Sequence, residues 1–200
     1  YGWDDLLRLS RDVPGGGLNP VEQQLAEDHV MASCDGLDGV ADGVIADRSG
    51  CDAALDLTAI CCPGGADTGD DCLSATQIDS LVASAQPVAL PYPAADGGTT
   101  ACGFPFLHGA NLGDWMAPFT GYDFFNTGVI RYWYLKDPAA SDDEVTNFDW
   151  IANRALVEAV TDESDLFEPE LDRFFRGGGK LILVQGTIDS LVPPSLTDEY

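Results

Sequence analysis

An aspartate that follows a predicted buried strand is the first candidate for chemistry in this sequence. Residues 181–184 form a short apolar run bounded by glycines, which suits a strand in the interior of a parallel sheet. Gly186 permits a sharp turn, so Asp189 falls just beyond the carboxyl end of that strand, where α/β enzymes collect catalytic groups. We interpret Asp189 as the acid that orients a histidine in a Ser-His-Asp triad. The alternative is a solvent-facing aspartate in a common type of turn.

Three aspartates close together among glycines form a second candidate. Asp35, Asp38 and Asp42 would repel one another unless a cation gathered them. A hard cation with many oxygen ligands fits such a loop, which favours Ca²⁺, and the backbone carbonyls of Val40 and Val44 would complete its shell. The spacing is not that of an EF-hand. The alternative is a solvated acidic turn, which is common in a chain this acidic.

Aromatic residues cluster between positions 102 and 134. Most are expected to form a small core, and a minority to line a pocket for an aromatic ligand, because binding sites favour apolar walls with few polar groups. We choose Trp115, Phe124 and Phe125 as the residues that stack on the ring of a small aromatic substrate. Arg131 is the candidate partner for a carboxylate of the protein or of the ligand. The alternative is that all three aromatic residues belong to the core.

The charge balance excludes two classes of partner. The 200 residues include 34 acidic and 9 basic side chains, which give a formal net charge of −25. Nucleic acid and anionic membrane surfaces would both be repelled. No apolar run is long enough to span a bilayer, and no signal peptide is visible at Tyr1. Because the chain opens without methionine, we expect that a signal peptide or a larger upstream part has been lost.

The six cysteines predict disulfides in an oxidising compartment, so we expect a secreted or periplasmic protein. Zinc is less well supported, because there is no CxxC pair and neither histidine stands at ligand spacing from a cysteine pair. Cys34 and Cys51 bracket the acidic loop and are expected to close it. One of Cys61 and Cys62 is expected to pair with Cys72, which leaves the other for Cys102. The sequence does not decide between them.

Capping residues predict the helices that must position these groups. Asn19, Pro20 and Glu22 indicate a helix start, and this helix should run to about Ser33. Four more helices are predicted. The first begins at Thr76 and is stopped by Pro87, and the second covers 149–160. The third covers 168–176, with Leu171, Phe174 and Phe175 facing inward, and the fourth begins at Ser195, after Pro193 and Pro194.

Taken together, these landmarks resemble the tannase and feruloyl esterase family, whose relatives include hydrolases of mono-esters of terephthalate. The resemblance covers essentially the whole chain in family order, and the acidic loop is its most specific part. It is carried by these stretches: Leu18-Asn-Pro20, Cys34-Asp-Gly-Leu-Asp-Gly-Val-Ala-Asp-Gly-Val-Ile45 closing at Cys51, Cys72-Leu-Ser-Ala-Thr-Gln77, Arg131-Tyr-Trp with Asp137-Pro138, and Gly178-Gly-Lys-Leu-Ile182 through Gly186 and Asp189 to Pro193-Pro194.

The resemblance implies an α/β fold, a fragment of an α/β-hydrolase core that carries a large, irregular, disulfide-rich lid. Residues 1–165 would form the lid with the calcium loop at 34–51, apart from a few core residues at the start. Residues 166–200 would return to the core and bring the catalytic acid. Members of the family cleave a carboxylic ester with a serine through an acyl-enzyme, while a histidine acts as general base and the aspartate orients it.

Two features depart from the family pattern. Gln185 stands where many relatives have histidine, which affects packing behind the acid and leaves the triad role in place. No G-x-S-x-G motif surrounds any serine, and neither histidine follows Asp189. The serine would therefore lie upstream of Tyr1 and the histidine downstream of Tyr200. We expect a fragment that is inactive alone and whose partner is the remainder of the same enzyme.

A calcium-binding extracellular interaction module without catalysis is the rival hypothesis. Asp-Gly-rich loops with flanking cysteines also occur in such modules, where the loop is repeated in tandem. Here the loop occurs once, and a strand-Asp-Pro-Pro element follows that such modules do not need. The sequence therefore favours an ester hydrolase acting on aromatic esters, whether phenolic, hydroxycinnamic or gallic.

Overall fold

The computed structural model describes residues 13–94, 97–113, 121–164 and 171–198, and this part of the chain is mainly helical. Two short strands, β1 (Val88–Ala89) and β2 (Thr100–Ala101), pair antiparallel with Val88 opposite Ala101. The α-helices are α1 (Pro20–Cys34), α2 (Arg48–Ala54), α3 (Ala75–Ala85), α4 (Gly121–Gly128), α5 (Asp142–Thr146), α6 (Arg154–Ser164), α7 (Asp172–Arg176) and α8 (Ser195–Asp198). A π-helix occupies Val129–Tyr134, and 3₁₀ turns lie at Asp35–Asp38, Leu57–Ile60, Pro63–Gly65 and Pro105–His108.

The predicted start of α1 is confirmed. The Asn19 side chain accepts hydrogen bonds from the backbone N–H groups of Val21 and Glu22, at 2.9 and 3.1 Å. The Glu22 carboxylate in turn accepts from the Asn19 N–H at 2.7 Å. This reciprocal pair satisfies N–H groups that have no partner inside the helix. A second capping box, between Ser74 and Gln77, starts α3 close to the predicted residue.

Two helices are shorter than predicted. Helix α6 begins at Arg154 rather than at 149, because the Asp149 carboxylate accepts from the N–H groups of Ile151 and Ala152 and holds a turn there. Helix α7 begins at Asp172, and residues 168–170 of its predicted range lie outside the described part. The prediction that Phe174 and Phe175 face inward is wrong, since both side chains are about half exposed.

The buried strand predicted at 181–184 is not formed within the described residues. The two-stranded sheet of β1 and β2 is the only sheet in the described ranges, and 181–184 pairs with neither strand. Ile182 is 84% exposed and Val184 is 90% exposed. A parallel strand exists only through hydrogen bonds to its neighbours, and no described segment supplies them at this position.

Three clusters of buried side chains form the core. The first cluster joins α1 and α3 to the segment around Phe106, the second lies beneath the π-helix, and the third surrounds the disulfide at the end of α1. The first cluster consists of Leu18, Ala26, Leu73, Leu81, Phe104, Phe106, Ala110 and Leu112. The second consists of Ile130, Ala140, Val145, Phe148, Trp150 and Val157. The third consists of Val30, Cys34, Ile45 and Cys51.

Two disulfides connect loops to this core. Cys34 is joined to Cys51, as predicted, across 17 residues, a loop length whose closure contributes about 3 kcal/mol. Cys62, rather than Cys61, pairs with Cys72. The third bridge expected between Cys61 and Cys102 is not formed, and the Cys61 thiol instead points toward the carbonyl of Cys62.

No helix within the described ranges combines the length and the apolar character needed to cross a membrane.

Truncation of a core leucine tests the first cluster. Leu81 is fully buried there, so we expect Leu81→Ala to lower the free energy of unfolding by about 2–5 kcal/mol through lost burial and a residual cavity. The neighbouring Val82 is partly exposed, and Val82→Ala should cost less than about 1 kcal/mol. Urea unfolding of the full-length protein measures both. Equal losses for the two variants would show that α3 presents a different face to the core.

Candidate active site

Asp189 lies in a tight turn that its own hydrogen bonds hold together. Its backbone N–H donates to the carbonyl oxygen of Gly186 at 3.3 Å. Its Oδ1 accepts from the backbone N–H groups of Leu191 and Val192, each at 2.9 Å. The residue is half-buried. The turn that the sequence predicts between 186 and 189 is therefore present, although the strand before it is not.

The residues after Asp189 anchor this turn to the helical body. Leu191 packs against the first core cluster. Pro193 and Pro194 are buried, and the carbonyl of Pro193 accepts from the N–H of Leu196 at 3.0 Å as α8 begins. The Pro-Pro helix start is confirmed. The position of the acid is consequently set by the packing of the segment that follows it.

The Gln185 side chain contacts the acid from the other side. Its Nε2 donates to Asp189 Oδ2 at 3.3 Å and to the carbonyl oxygen of Val192 at 3.2 Å. Its Oε1 accepts from the Thr197 hydroxyl at 3.2 Å. Sequence reasoning placed Gln185 behind the acid and missed these bonds, because they depend on α8 folding back toward the turn.

A surface pocket of about 360 Å³ gathers three of the predicted substrate residues, Phe124, Phe125 and Arg131. Phe124 is 73% exposed and Phe125 is 41% exposed, which disfavours the alternative that they are core residues. Their rings meet edge to face, with centroids 5.7 Å apart. Trp115 lies outside the described residues.

Arg131 sits in the wider turn of the π-helix, where Leu135 N–H donates to the Ile130 carbonyl at 2.9 Å. Its guanidinium donates to Asp142 Oδ1 at 2.6 Å, so it does meet a protein carboxylate. Its Nε is buried and has no hydrogen-bond partner among the described residues. Buried donors are normally satisfied, so this atom marks a place where an acceptor belongs. π-Helical turns are frequent at functional sites.

The carboxylate that holds Arg131 is itself positioned by the cap of α5. Backbone N–H and hydroxyl of Ser141 both donate to the Glu144 carboxylate at 2.8 Å. These bonds hold the pKa of Glu144 below its usual range, the backbone bond having the larger effect. Asp142 lies in this capped first turn, so its backbone is fixed where its carboxylate meets Arg131.

Sequence reasoning missed two members of this pocket. Tyr132 and Trp133 also line it, and both are more than half exposed. The sequence places both in the aromatic cluster, yet nothing in it separates exposed rings from buried ones. A larger cavity of about 420 Å³ lies between Tyr92 and α6, where the Arg154 guanidinium is 4.8 Å from the ring centroid of Tyr92. We prefer the smaller pocket because it contains the predicted residues and the unsatisfied Arg131 Nε.

The acidic loop is organised by its aspartates. Asp35 Oδ1 accepts from the N–H groups of Gly43 and Val44, at 2.9 and 3.1 Å, and so closes the loop from end to end. Asp38 Oδ1 accepts from Val40 N–H at 2.9 Å, and Asp42 Oδ1 accepts from Val44 N–H at 3.1 Å. The loop begins at the disulfide-bonded Cys34, so its first end is attached to the third core cluster.

This arrangement fits a hard cation in the type of its donors. Carboxylates and backbone carbonyls are the ligands that Ca²⁺ takes, and all of them come from one short loop. The side chains have not converged, however, since the described residues contain no group of three His, Cys, Asp or Glu side chains placed to hold a metal. Each aspartate directs Oδ1 to its own backbone. Calcium binding stays a prediction.

The structure brings Phe124, Phe125 and Arg131 into one pocket, and Asp189 is not among the residues that line it. The acidic loop contributes no residue to that pocket either. The described residues therefore present three separate features: an acid turn, an aromatic pocket and an acidic loop.

Comparison with known proteins identifies the family of the chain. A family model described as tannase and feruloyl esterase matches residues 10–200. The chain therefore belongs to the tannase and feruloyl esterase family.

Individual relatives agree with this assignment. A probable feruloyl esterase B-2 of Aspergillus terreus is 28% identical over 180 residues, which cover 88% of this chain and 31% of the relative. An uncharacterised esterase of Agrobacterium fabrum is 28% identical over 199 residues, covering 92% and 36%. The crystal structure of feruloyl esterase B from Aspergillus oryzae shares the fold over 98% of this chain and 38% of that chain, with a TM-score of 0.72 at 18% identity. The chain thus spans about a third of the length of the curated relatives it matches.

Proposed function

We propose that this chain is part of a carboxylic ester hydrolase that acts on aromatic esters, and that it supplies the acid of a Ser-His-Asp triad. The observation that carries the proposal is the family match over residues 10–200, since relatives across that span are named as esterases. The rival hypothesis of a non-catalytic calcium module has no such support, and no feature of the described residues favours it.

In this proposal Asp189 holds the catalytic histidine. The histidine takes the proton of the serine hydroxyl as the oxygen attacks the ester carbonyl, and it later protonates the departing alcohol. Asp189 accepts the Nδ1–H of the imidazole, which keeps the ring in the required tautomer and stabilises the imidazolium. Serine and histidine both belong to the remainder of the enzyme, so residues 1–200 alone would not turn over an ester.

The exposed apolar run before Asp189 supports an α/β-hydrolase core completed by that remainder. Ile182 and Val184 are almost fully exposed, and Leu181 and Leu183 are about half exposed. Four consecutive apolar residues that are about half exposed or more suit an interior strand whose neighbouring strands come from elsewhere in the enzyme. Residues 166–200 would then join the core, and 1–165 would form the lid over it.

The aromatic pocket is the proposed contact for the ring of the substrate. Phe124 and Phe125 offer exposed ring faces and edges, which suit a phenolic, hydroxycinnamic or gallic ring. Arg131 lines the same pocket and is the proposed partner for a carboxylate of the ligand, beside its bond to Asp142. Trp115 remains a proposed third ring on sequence grounds alone. The partner is a small aromatic ester, with neither nucleic acid nor a membrane involved.

Calcium is proposed as the structural ion of the acidic loop. The carboxylates of Asp35, Asp38 and Asp42, with the carbonyls of Val40 and Val44, would hold it. When bound, it neutralises charges that otherwise repel within the loop. The disulfides are consistent with an oxidising compartment, where calcium loops are common, so we propose a secreted or periplasmic enzyme.

Replacing the proposed catalytic acid tests the central claim. In the full-length enzyme we expect Asp189→Asn to leave the fold intact and to lower kcat on an aromatic ester by as much as about 10⁴-fold, because the histidine is held in the wrong tautomer. Asp79→Asn makes the same change on the exposed face of α3 and should retain wild-type turnover. Near wild-type turnover of Asp189→Asn would show that another residue is the acid.

Alanine substitutions separate a substrate-binding ring from an ordinary surface ring. Phe124→Ala and Phe125→Ala should each lower kcat/KM on aromatic esters roughly 2- to 10-fold, the value of one ring pair, and should spare esters of short aliphatic acids. Phe174→Ala removes a comparably exposed ring outside the pocket and is the control. A change in melting temperature with unaltered kcat/KM would assign Phe124 and Phe125 a structural role only.

Metal removal tests the acidic loop. Chelation of calcium should lower the melting temperature of the enzyme, and added Ca²⁺ should restore it, because the ion binds the folded loop. Asp35→Asn combined with Asp38→Asn should abolish the calcium response, whereas Asp79→Asn should keep it. Isothermal titration with Ca²⁺ reports the binding directly. The absence of both binding heat and a thermal response would leave a solvated acidic turn.

A further inference from the structure

One amide side chain connects three parts of the acid turn. Gln185 Nε2 donates to Asp189 Oδ2 at 3.3 Å and to the Val192 carbonyl at 3.2 Å, while Gln185 Oε1 accepts from the Thr197 hydroxyl at 3.2 Å. The residue before the turn, the acid itself and helix α8 are therefore joined through a single side chain.

The orientation of this amide is dictated by its neighbours. A carboxylate and a carbonyl are acceptors only, so the NH₂ group must face both of them. With the amide reversed, Oε1 would stand against two acceptors and the Thr197 hydroxyl would lose an acceptor. The donor therefore points at Asp189 for a physical reason.

The acceptor capacity of Asp189 shows what this bond does. An ionised carboxylate has about four lone-pair sites. Oδ1 accepts two backbone N–H groups, from Leu191 and Val192, and Oδ2 accepts the Gln185 amide. One site on Oδ2 is left for a further donor, and the Nδ1–H of an imidazole needs one.

The backbone bonds alone do not orient that last site. Both of them end on Oδ1, so a concerted change of χ1 and χ2, the latter a broad torsion in aspartate, can still pivot Oδ2 about the atom that they hold. A donor on the second oxygen removes the pivot. We infer that Gln185 is a positioning residue, which aims the remaining lone pair of Asp189 at the catalytic histidine; the inference rests on the proposed triad role of Asp189.

The test uses the full-length enzyme and two replacements of Gln185. Gln185→Leu removes the donor at similar size, so kcat should fall roughly tenfold with KM unchanged, as for a lost bond to a charged group. The imidazolium is then less stabilised, and the acid limb of the pH–rate profile should move to lower pH. Gln185→Glu replaces the donor with a carboxylate, and this limb should move to higher pH. Gln24→Leu, on the exposed face of α1, is the matched control.

The shift of the pH profile distinguishes positioning from a merely structural role, since loss of folded protein lowers the rate equally at every pH. Coupling gives a second readout: Gln185→Leu should cost little more activity in an Asp189→Asn background, because the group it positions is already lost.

Each outcome bears on one claim. If Asp189→Asn is inactive while both Gln185 variants keep the wild-type kcat and pH profile, this inference is overturned and the proposed function stands. If Asp189→Asn keeps its turnover, the proposed function fails first and the inference fails with it. If Gln185→Leu does not fold, Gln185→Met, which also lacks the donor and adds no charge, decides, and an acid limb that does not move to lower pH in that variant overturns the inference.

Discussion

Packing in the first core cluster holds the separate segments of this chain in place. Leu18, Leu73, Leu81 and Phe106 come from four stretches of sequence and are buried against one another. Leu191, two residues after Asp189, packs on the same cluster. Since the segment that follows the acid is anchored there, the position of the carboxylate depends on apolar contacts with residues far earlier in the chain.

Local hydrogen bonds hold the loops that the small core does not fix in place. Long stretches of the chain lack regular structure, so their backbone groups need other partners. Side-chain carboxylates accept hydrogen bonds from several of the backbone N–H groups. In this way Asp35 closes the acidic loop, and Asp189 closes its own turn. The abundance of aspartate, which gives the chain its large negative charge, thus has a structural use besides any binding of calcium.

Some apolar groups of the chain remain exposed to solvent. Phe124 and the run at 181–184 have no cover within the described ranges, although both are apolar enough for burial. Exposed apolar surface of this kind marks places where another surface or a ligand belongs. In our proposal Phe124 receives the ring of a substrate, and the run at 181–184 receives neighbouring strands of the enzyme core.

Local signals in the sequence were sufficient for the features that depend on near neighbours. The capping box at Asn19, the helix start near Thr76, the turn at Gly186 and the helix after Pro193 and Pro194 involve residues only a few positions apart, and the Cys34–Cys51 bridge closes a single loop. The choice of Cys62 over Cys61, the exposure of Phe174 and the bonds of Gln185 were not predictable, because each depends on contacts between segments whose relative placement no local pattern contains.

The strand at 181–184 shows the same limit: its composition is that of a buried strand, but a strand forms only through hydrogen bonds to neighbouring strands. The sequence by itself determined where helices start, where the chain turns and that Cys34 pairs with Cys51, whereas only the tertiary structure decided which side chains meet across the chain, since that depends on how the separate segments pack.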